Sequence, residues 1–169
     1  MTGIEVILTD MLECREARAA RQRQFLMETG CPLLSFSMNI PGPVKTNAAL
    51  LRAFLSGREA LRTALHEQGL PIRREAERHE KTGDELLYAV DAEPSALKAL
   101  SVRIEEHHPL GRLFDIDVID RSGRKLSRPT QRRCLICGGP AQDCAHSRRH
   151  SVAEMQERIE ALLRDFLRD

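Results

Sequence analysis

Apolar residues recur along this chain with two different periods, and the switches between them mark out the elements. From Ser151 onward, Val152, Met155, Ile159, Leu162, Leu163 and Phe166 fall on one helical face. Ser151 and Glu154 form a capping box at the start of that helix. A helix is also predicted from Thr46 or Asn47 to about Gln68, with Leu50, Phe54, Leu61 and Leu65 on one side and Gly69 closing it. Gly57 weakens that helix intrinsically, which predicts close packing at its position. Another helix opens at Pro94 and ends near His107-His108-Pro109. The first helix, from Thr9 or Asp10 to about Thr29, has only a thin stripe (Leu12, Ala19, Leu26), so it is expected on the surface.

Between the helices the pattern changes to strands. Leu33 to Ile40 reads as one, ending at Pro41-Gly42-Pro43. The stretches Leu70 to Lys81 and Glu85 to Asp91 flank Thr82-Gly83-Asp84, a hairpin turn. Arg112 to Asp120 is a further strand, and Arg121-Ser122-Gly123 turns it into a short partner, Arg124 to Ser127. The fold class predicted is α+β, with helices packed on a mainly antiparallel, mixed sheet. The element order also matches the ferredoxin-like pattern of palm-type nucleotidyltransferase cores.

The chain has 169 residues, is 41% hydrophobic and 30% charged, and so reads as one globular domain, residues 1–169. Aromatic residues make up only 4%, with no Trp, so Leu, Ile, Val and Ala must build the core. A net charge of +1 supplies no global field toward nucleic acid or a membrane. No apolar run approaches the ~20 residues needed to span a bilayer. The N-terminus has no secretory pattern and the five cysteines are an odd number, so a cytoplasmic location with reduced or metal-bound thiols is expected.

The sharpest chemistry lies in Phe114-Asp115-Ile116-Asp117-Val118. Alternation puts Phe114, Ile116 and Val118 on one face and Asp115 with Asp117 on the other, about 6.6 Å apart along the strand. Such a pair can hold Mg²⁺ (or Mn²⁺) and leave positions for phosphate oxygens. Asp is unfavourable in strands, so a pair on one face calls for a reason. From Arg121 to Arg133 there are six Lys or Arg residues and no acid, as a polyphosphate site requires. A third metal ligand could come from Glu75, Glu77 or Glu85, and Asp120 is expected to cap the turn that follows it.

A second constellation is Cys134-Leu135-Ile136-Cys137-Gly138-Gly139, followed by Cys144, His146 and His150. Cys-x-x-Cys with Gly after it is the usual way for two thiolates to meet one tetrahedral ion. Cys144 with His146 or His150 could complete a Zn²⁺ site, with Cys134, Cys137, Cys144 and His150 as the candidate set. Reduced thiols stabilising a loop are the alternative. Arg148, Arg149 and His150 precede a helix N-terminus and are candidate phosphate ligands. Lys45, in a loop between a strand and a helix, is another.

The run His108-Pro109-Leu110-Gly111-Arg112-Leu113-Phe114-Asp115-Ile116-Asp117-Val118, then Arg133-Cys134-Leu135-Ile136-Cys137 and Cys144 through His150, closely resembles the CitX family. Pro41 to Lys45 and Gly57-Arg58-Glu59 are similar as well, so the likeness spans nearly the whole chain. These are apo-citrate lyase phosphoribosyl-dephospho-CoA transferases, also called citrate lyase holo-acyl-carrier-protein synthases. The resemblance implies a substrate, 2'-(5''-triphosphoribosyl)-3'-dephospho-CoA, and a partner, the apo acyl carrier subunit of citrate lyase. A serine of that carrier would attack the phosphorus nearest the ribose and release diphosphate. Asp115 and Asp117 would hold Mg²⁺. Lys45, Arg58, Arg112, Arg124, Lys125, Arg128, Arg148, Arg149 and His150 are the candidate substrate ligands, and His108 the candidate base. Competing readings are the equivalent transferase for a malonate decarboxylase carrier, a zinc-bearing nucleic-acid module and a structural subunit of a lyase complex. The near-neutral charge and lack of interleaved aromatics weigh against nucleic acid.

Overall fold

A computed structural model describes residues 1–168. Four strands form an antiparallel sheet in the order β2-β3-β1-β4: β1 (Leu33–Met38), β2 (Ile72–Glu80), β3 (Gly83–Val90) and β4 (Phe114–Ile119). Five helices pack on it: α1 (Leu8–Thr29), α2 (Ala48–Glu67), α3 (Pro94–His107), α4 (Ala141–His146) and α5 (Val152–Arg168). The architecture is therefore α+β, and β1-α2-β2-β3-α3-β4 follows the β-α-β-β-α-β succession expected.

The two faces of the sheet differ because side chains alternate along each strand. Leu34, Phe36, Leu86, Tyr88, Phe114, Ile116 and Val118 point to the back, where α2, α3 and α5 bury them with Leu50, Phe54, Leu61, Leu97, Leu100, Ile159 and Leu163. The front carries a smaller cluster, Phe25 of α1 with Cys31, Leu33, Leu87, Ala89 and Ile119. Only Phe25 of α1 is buried, as its thin stripe requires.

Asn47 caps α2, its Oδ1 accepting from the Leu50 N–H at 3.0 Å. At Gly57 a Cβ would lie 2.6 Å from Phe36 Cζ and 2.8 Å from Phe114 Cζ, so glycine lets α2 settle directly onto β1 and β4. Phe36 stacks on Phe54 with ring centroids 4.9 Å apart and meets Phe114 edge-on at 5.2 Å. The Ser151–Glu154 box forms as the sequence predicts, Ser151 Oγ accepting from the Glu154 N–H at 3.2 Å and Glu154 Oε2 from the Ser151 N–H at 2.7 Å.

Several boundaries differ from the sequence reading: β1 ends at Met38, β3 begins at Gly83, and the short α4 has no counterpart in it. Residues Gly111–Leu113 form a 3-10 turn, so β4 begins at Phe114 rather than Arg112. A Cβ on Gly111 would lie 2.5 Å from the Glu105 carbonyl, and this close approach to the end of α3 coils the chain before it can extend. The return after Asp120 makes only an isolated bridge, Ile119 to Lys125, because Asp120 accepts the turn's own N–H groups and the chain then leaves the sheet. Helix α1 starts at Leu8, with Asp10 accepting from the Ile7 N–H at 3.1 Å.

Candidate functional site

Asp115 and Asp117 share the front face of β4, half-exposed, while Phe114, Ile116 and Val118 are buried behind it. Across the sheet Asp115 lies opposite Ser37 and Asp117 opposite Ser35. Both are small hydroxyl residues, and α1 covers the front over β1, β2 and β3, its Gln22 donating to Ser35 Oγ at 3.0 Å. Lys125 Nζ stands 2.5 Å from Asp117 Oδ2, and Arg132 lies 3.9 Å from Asp115 Oδ1. Each aspartate therefore has a cation beside it and is half-exposed at the surface.

Of the three glutamates that could add a ligand, only Glu85 shares this face. It occupies the row Glu85–Ser37–Asp115, about 10 Å from Asp115 at two strand spacings. Arg18 and Arg21 hold its carboxylate, and the Cys14 thiol donates to it at 3.2 Å. Glu75 and Glu77 are on the back face, engaged by Arg62 at 2.7 Å and Arg58 at 3.1 Å.

The basic stretch reaches the strand through a buried carboxylate. Glu105 of α3 is 3% exposed, its Oε1 accepts the Ile116 N–H at 2.9 Å, and Arg128 and Arg132 both pair with it. This closes the outer edge of β4, since Ile116 has no strand partner on that side. Arg132 also donates to the Phe114 carbonyl at 2.7 Å. Neither Arg132 nor Glu105 stood out as a site residue in the sequence. The available signal was a glutamate in the apolar stripe of α3 (Leu97, Leu100, Ile104), a place that demands a cationic partner.

Below this edge opens a cavity of about 590 Å³. Its polar wall holds Arg112, Arg132, Arg148 and His150, and no Asp or Glu lines it. Leu113, Leu135, Val152, Met155 and Ile159 supply an apolar wall. Burial, with Arg132 and Arg128 close by, pushes the Arg112 guanidinium below its ordinary value. Arg132 is paired with Glu105, whereas Arg112 and Arg148 face the cavity with no carboxylate lining it, an arrangement that favours an anion.

The Cys/His segment forms the cavity's outer wall. One donor atom each from Cys134, Cys137, Cys144 and His150 lies within 4.8 Å of all the others. The choice between the two histidines falls to His150, because His146 ends α4 exposed on the outside. His150 Nε2 is buried with no hydrogen-bond partner. Backbone donation from Gly139, aided by the Cys144 thiol, lowers the Cys137 thiol to about 7, while its neighbour Cys137 and burial push Cys144 up to about 11. The set can hold a metal ion.

The remaining candidates divide by place. Lys125 stands at the aspartates, and Arg112, Arg148 and His150 at the cavity. Arg149 lies beside Cys137, and Arg124 is committed to Asp120 at the exposed turn. Hydrogen bonds from Ser122 and from the Arg124 backbone lower Asp120 to about 2. Arg128 is spent on Glu105 and Glu106, and Lys45 donates to the Ile40 carbonyl at 2.7 Å. Two candidates lie behind the sheet, away from the aspartates. Arg58 is paired with Glu77, and His108 packs on Phe114 and Phe166. His108 Nδ1 accepts the Leu110 N–H at 3.0 Å, so Nε2 carries the proton and donates to Ser56 Oγ at 3.0 Å. Burial lowers its pKa, keeping the ring neutral.

Residues 6–166 match the family described as "Apo-citrate lyase phosphoribosyl-dephospho-CoA transferase" (CitX). The chain is 37% identical over 164 residues to a protein of that name from Escherichia coli O7:K1, covering 95% of this chain and 90% of the relative. It is similar to the same extent to one from Shigella boydii serotype 18.

Proposed function

Because the chain belongs to the apo-citrate lyase phosphoribosyl-dephospho-CoA transferase family, we propose that the cavity lined by Arg112, Arg132 and Arg148 takes the donor and that Asp115 and Asp117 flank the reacting phosphorus. The activity is transfer of the phosphoribosyl-dephospho-CoA group to the acyl carrier subunit of apo-citrate lyase. The donor is 2'-(5''-triphosphoribosyl)-3'-dephospho-CoA. A carrier serine Oγ forms a new bond to the phosphorus nearest the ribose, the bond to the diphosphate breaks, and the serine proton is lost to solvent.

One observation carries the reading. Arg132 lines the cavity and also lies 3.9 Å from Asp115, so a triphosphate extending from the cavity would pass directly to the aspartates. Arg112, Arg132 and Arg148 would bind its oxygens, and the apolar wall would receive the pantetheine or adenine portion. Asp115 and Asp117 would hold Mg²⁺, which when bound neutralises charge on the phosphoryl group and the departing diphosphate. Lys125, paired with Asp117, would turn to the phosphates once the ion occupies that carboxylate. Cys134, Cys137, Cys144 and His150 would hold Zn²⁺ as a closed structural site. Arg121, Arg124 and Arg133, all exposed, would meet the acidic surface typical of carrier proteins. We read the whole chain as one domain working in the cytoplasm, where its thiols stay reduced. Among the described residues no helix is long and apolar enough to cross a membrane.

The test is diphosphate release from purified protein, donor, Mg²⁺ and apo carrier. Release with the citrate lyase carrier, absent with a malonate decarboxylase carrier, lost when Mg²⁺ is left out and restored by Mg²⁺ without added Zn²⁺, is the expected result. Equal rates without Mg²⁺ would exclude the Mg²⁺ role.

A further inference from the structure

We infer that the Cys134–Cys137–Cys144–His150 centre is the latch of the donor cavity, so that metal binding and donor binding are linked. The inference rests on the donor-cavity reading above and adds a dependence which that reading does not require.

Residues 130–151 have almost no core of their own. Their regular structure is the six-residue α4 and one isolated bridge, Arg133 to Pro140. Cys144 is their one fully buried hydrophobic side chain. A segment with so little apolar burial is ordered by ligation rather than by packing. The centre has the means. The Cys137 and Cys144 sulfurs are 3.4 Å apart and unbonded, and thiolates on a tetrahedral Zn²⁺ stand about 3.8 Å apart at Zn–S of about 2.3 Å. The buried, unpartnered His150 Nε2 is a donor atom that burial leaves unsatisfied unless it ligates. Four protein ligands leave no open position, so the ion would hold structure and take no substrate.

What the ion would hold is the cavity wall. Cys134, Cys144 and His150 all line the cavity. Its two outer arginines each sit two residues before a ligand, Arg132 before Cys134 and Arg148 before His150. Arg148 has φ 46°, a left-handed conformation that a non-glycine residue keeps only when its surroundings enforce it. Ligation of His150 next to it supplies that restraint and also sets the start of α5, whose Val152, Met155 and Ile159 complete the apolar wall. Glu105 and the Phe114 carbonyl hold Arg132, so without the ion it is Arg148 that loses its fixed place across the cavity from it.

The experiment measures zinc content and dephospho-CoA affinity on the same preparation. The expected result is about one zinc per chain, dephospho-CoA binding weakened about 10-fold or more after chelation, and recovery on adding Zn²⁺, within the usual range of coupled sites. Cys137→Ser is the sharper variant, because Cys137 is exposed and does not line the cavity. It should lose zinc and the same affinity, with the rest of the fold melting normally. By contrast, Arg148→Gln should weaken dephospho-CoA binding with zinc content unchanged. A protein that takes up no zinc, or zinc-free Cys137→Ser protein that binds dephospho-CoA as wild type does, would overturn the latch. Zinc-dependent dephospho-CoA binding without diphosphate release would instead sink the transferase reading and leave the latch standing.

Discussion

Asp115 and Asp117 stand on β4, where the ladder to β1 and the packing of Phe114, Ile116 and Val118 fix them from below. Arg132 and Arg148 stand on a segment with neither ladder nor core, which side chains alone hold against the molecule. Both regions supply the same candidate site. A strand positions its carboxylates before any ligand arrives, and the loop positions its cations only through a buried acid at one end and a Cys/His centre at the other. Electrostatic sites need both kinds of precision, since a donor misplaced by about 1 Å can cost ~100-fold in rate.

Glu105 joins the two regions, and removing it should have the largest effect. Glu105→Ala leaves Arg128, Arg132 and the Ile116 N–H without their buried acceptor, and should destabilise the fold by about 3–5 kcal/mol in urea unfolding. A loss under ~1 kcal/mol would show that loop and strand are not tied there. A smaller effect is expected beneath β4. Gly57→Ala drives a methyl into Phe36 and Phe114, and should cost about 1–3 kcal/mol while leaving zinc content unchanged. If that variant lost zinc, the two regions would not be independent.

The smallest effect belongs to the hairpin, far from both regions. His79 donates to Asp84 at 2.7 Å and to Glu77 at 2.8 Å, and the Asp84 contact chiefly raises its pKa. A raised folded value means that protonated His79 stabilises the fold fully below its ordinary value of about 6.5 and loses that contribution as pH rises through the folded value. Wild type should therefore exceed His79→Gln in unfolding midpoint at pH 5.5, and the gap should narrow by pH 8.5. A gap that widens with pH would reverse the sign. Turnover should not follow it.

What the sequence discloses follows the same division. Period-two alternation is enough to put both aspartates on one face, Asn47 announces its cap, and Gly57 announces a close contact. These are local rules acting over a few residues. The Arg124–Ser127 partner strand fails because the Asp120 turn satisfies its own N–H groups and little remains to pair. Choosing His150 over His146 depends on how α4 turns the chain between Cys144 and the last helix, which no spacing encodes. Arg58 and His108 belong to the runs that carry the family resemblance, yet α2 and the end of α3 carry them behind the sheet. Arg132 is one of six cations in its stretch of sequence, and only the fold brings it both to Asp115 and into the cavity.

The carboxylate pair is tested most directly by diphosphate release from Asp115→Asn and Asp117→Asn, each assayed with donor, Mg²⁺ and apo carrier beside its melting temperature. Loss of turnover by at least ~100-fold in each, with melting unchanged, is the predicted result, since each substitution removes stabilisation of charge developing at the phosphorus. Rates like wild type in both would contradict it.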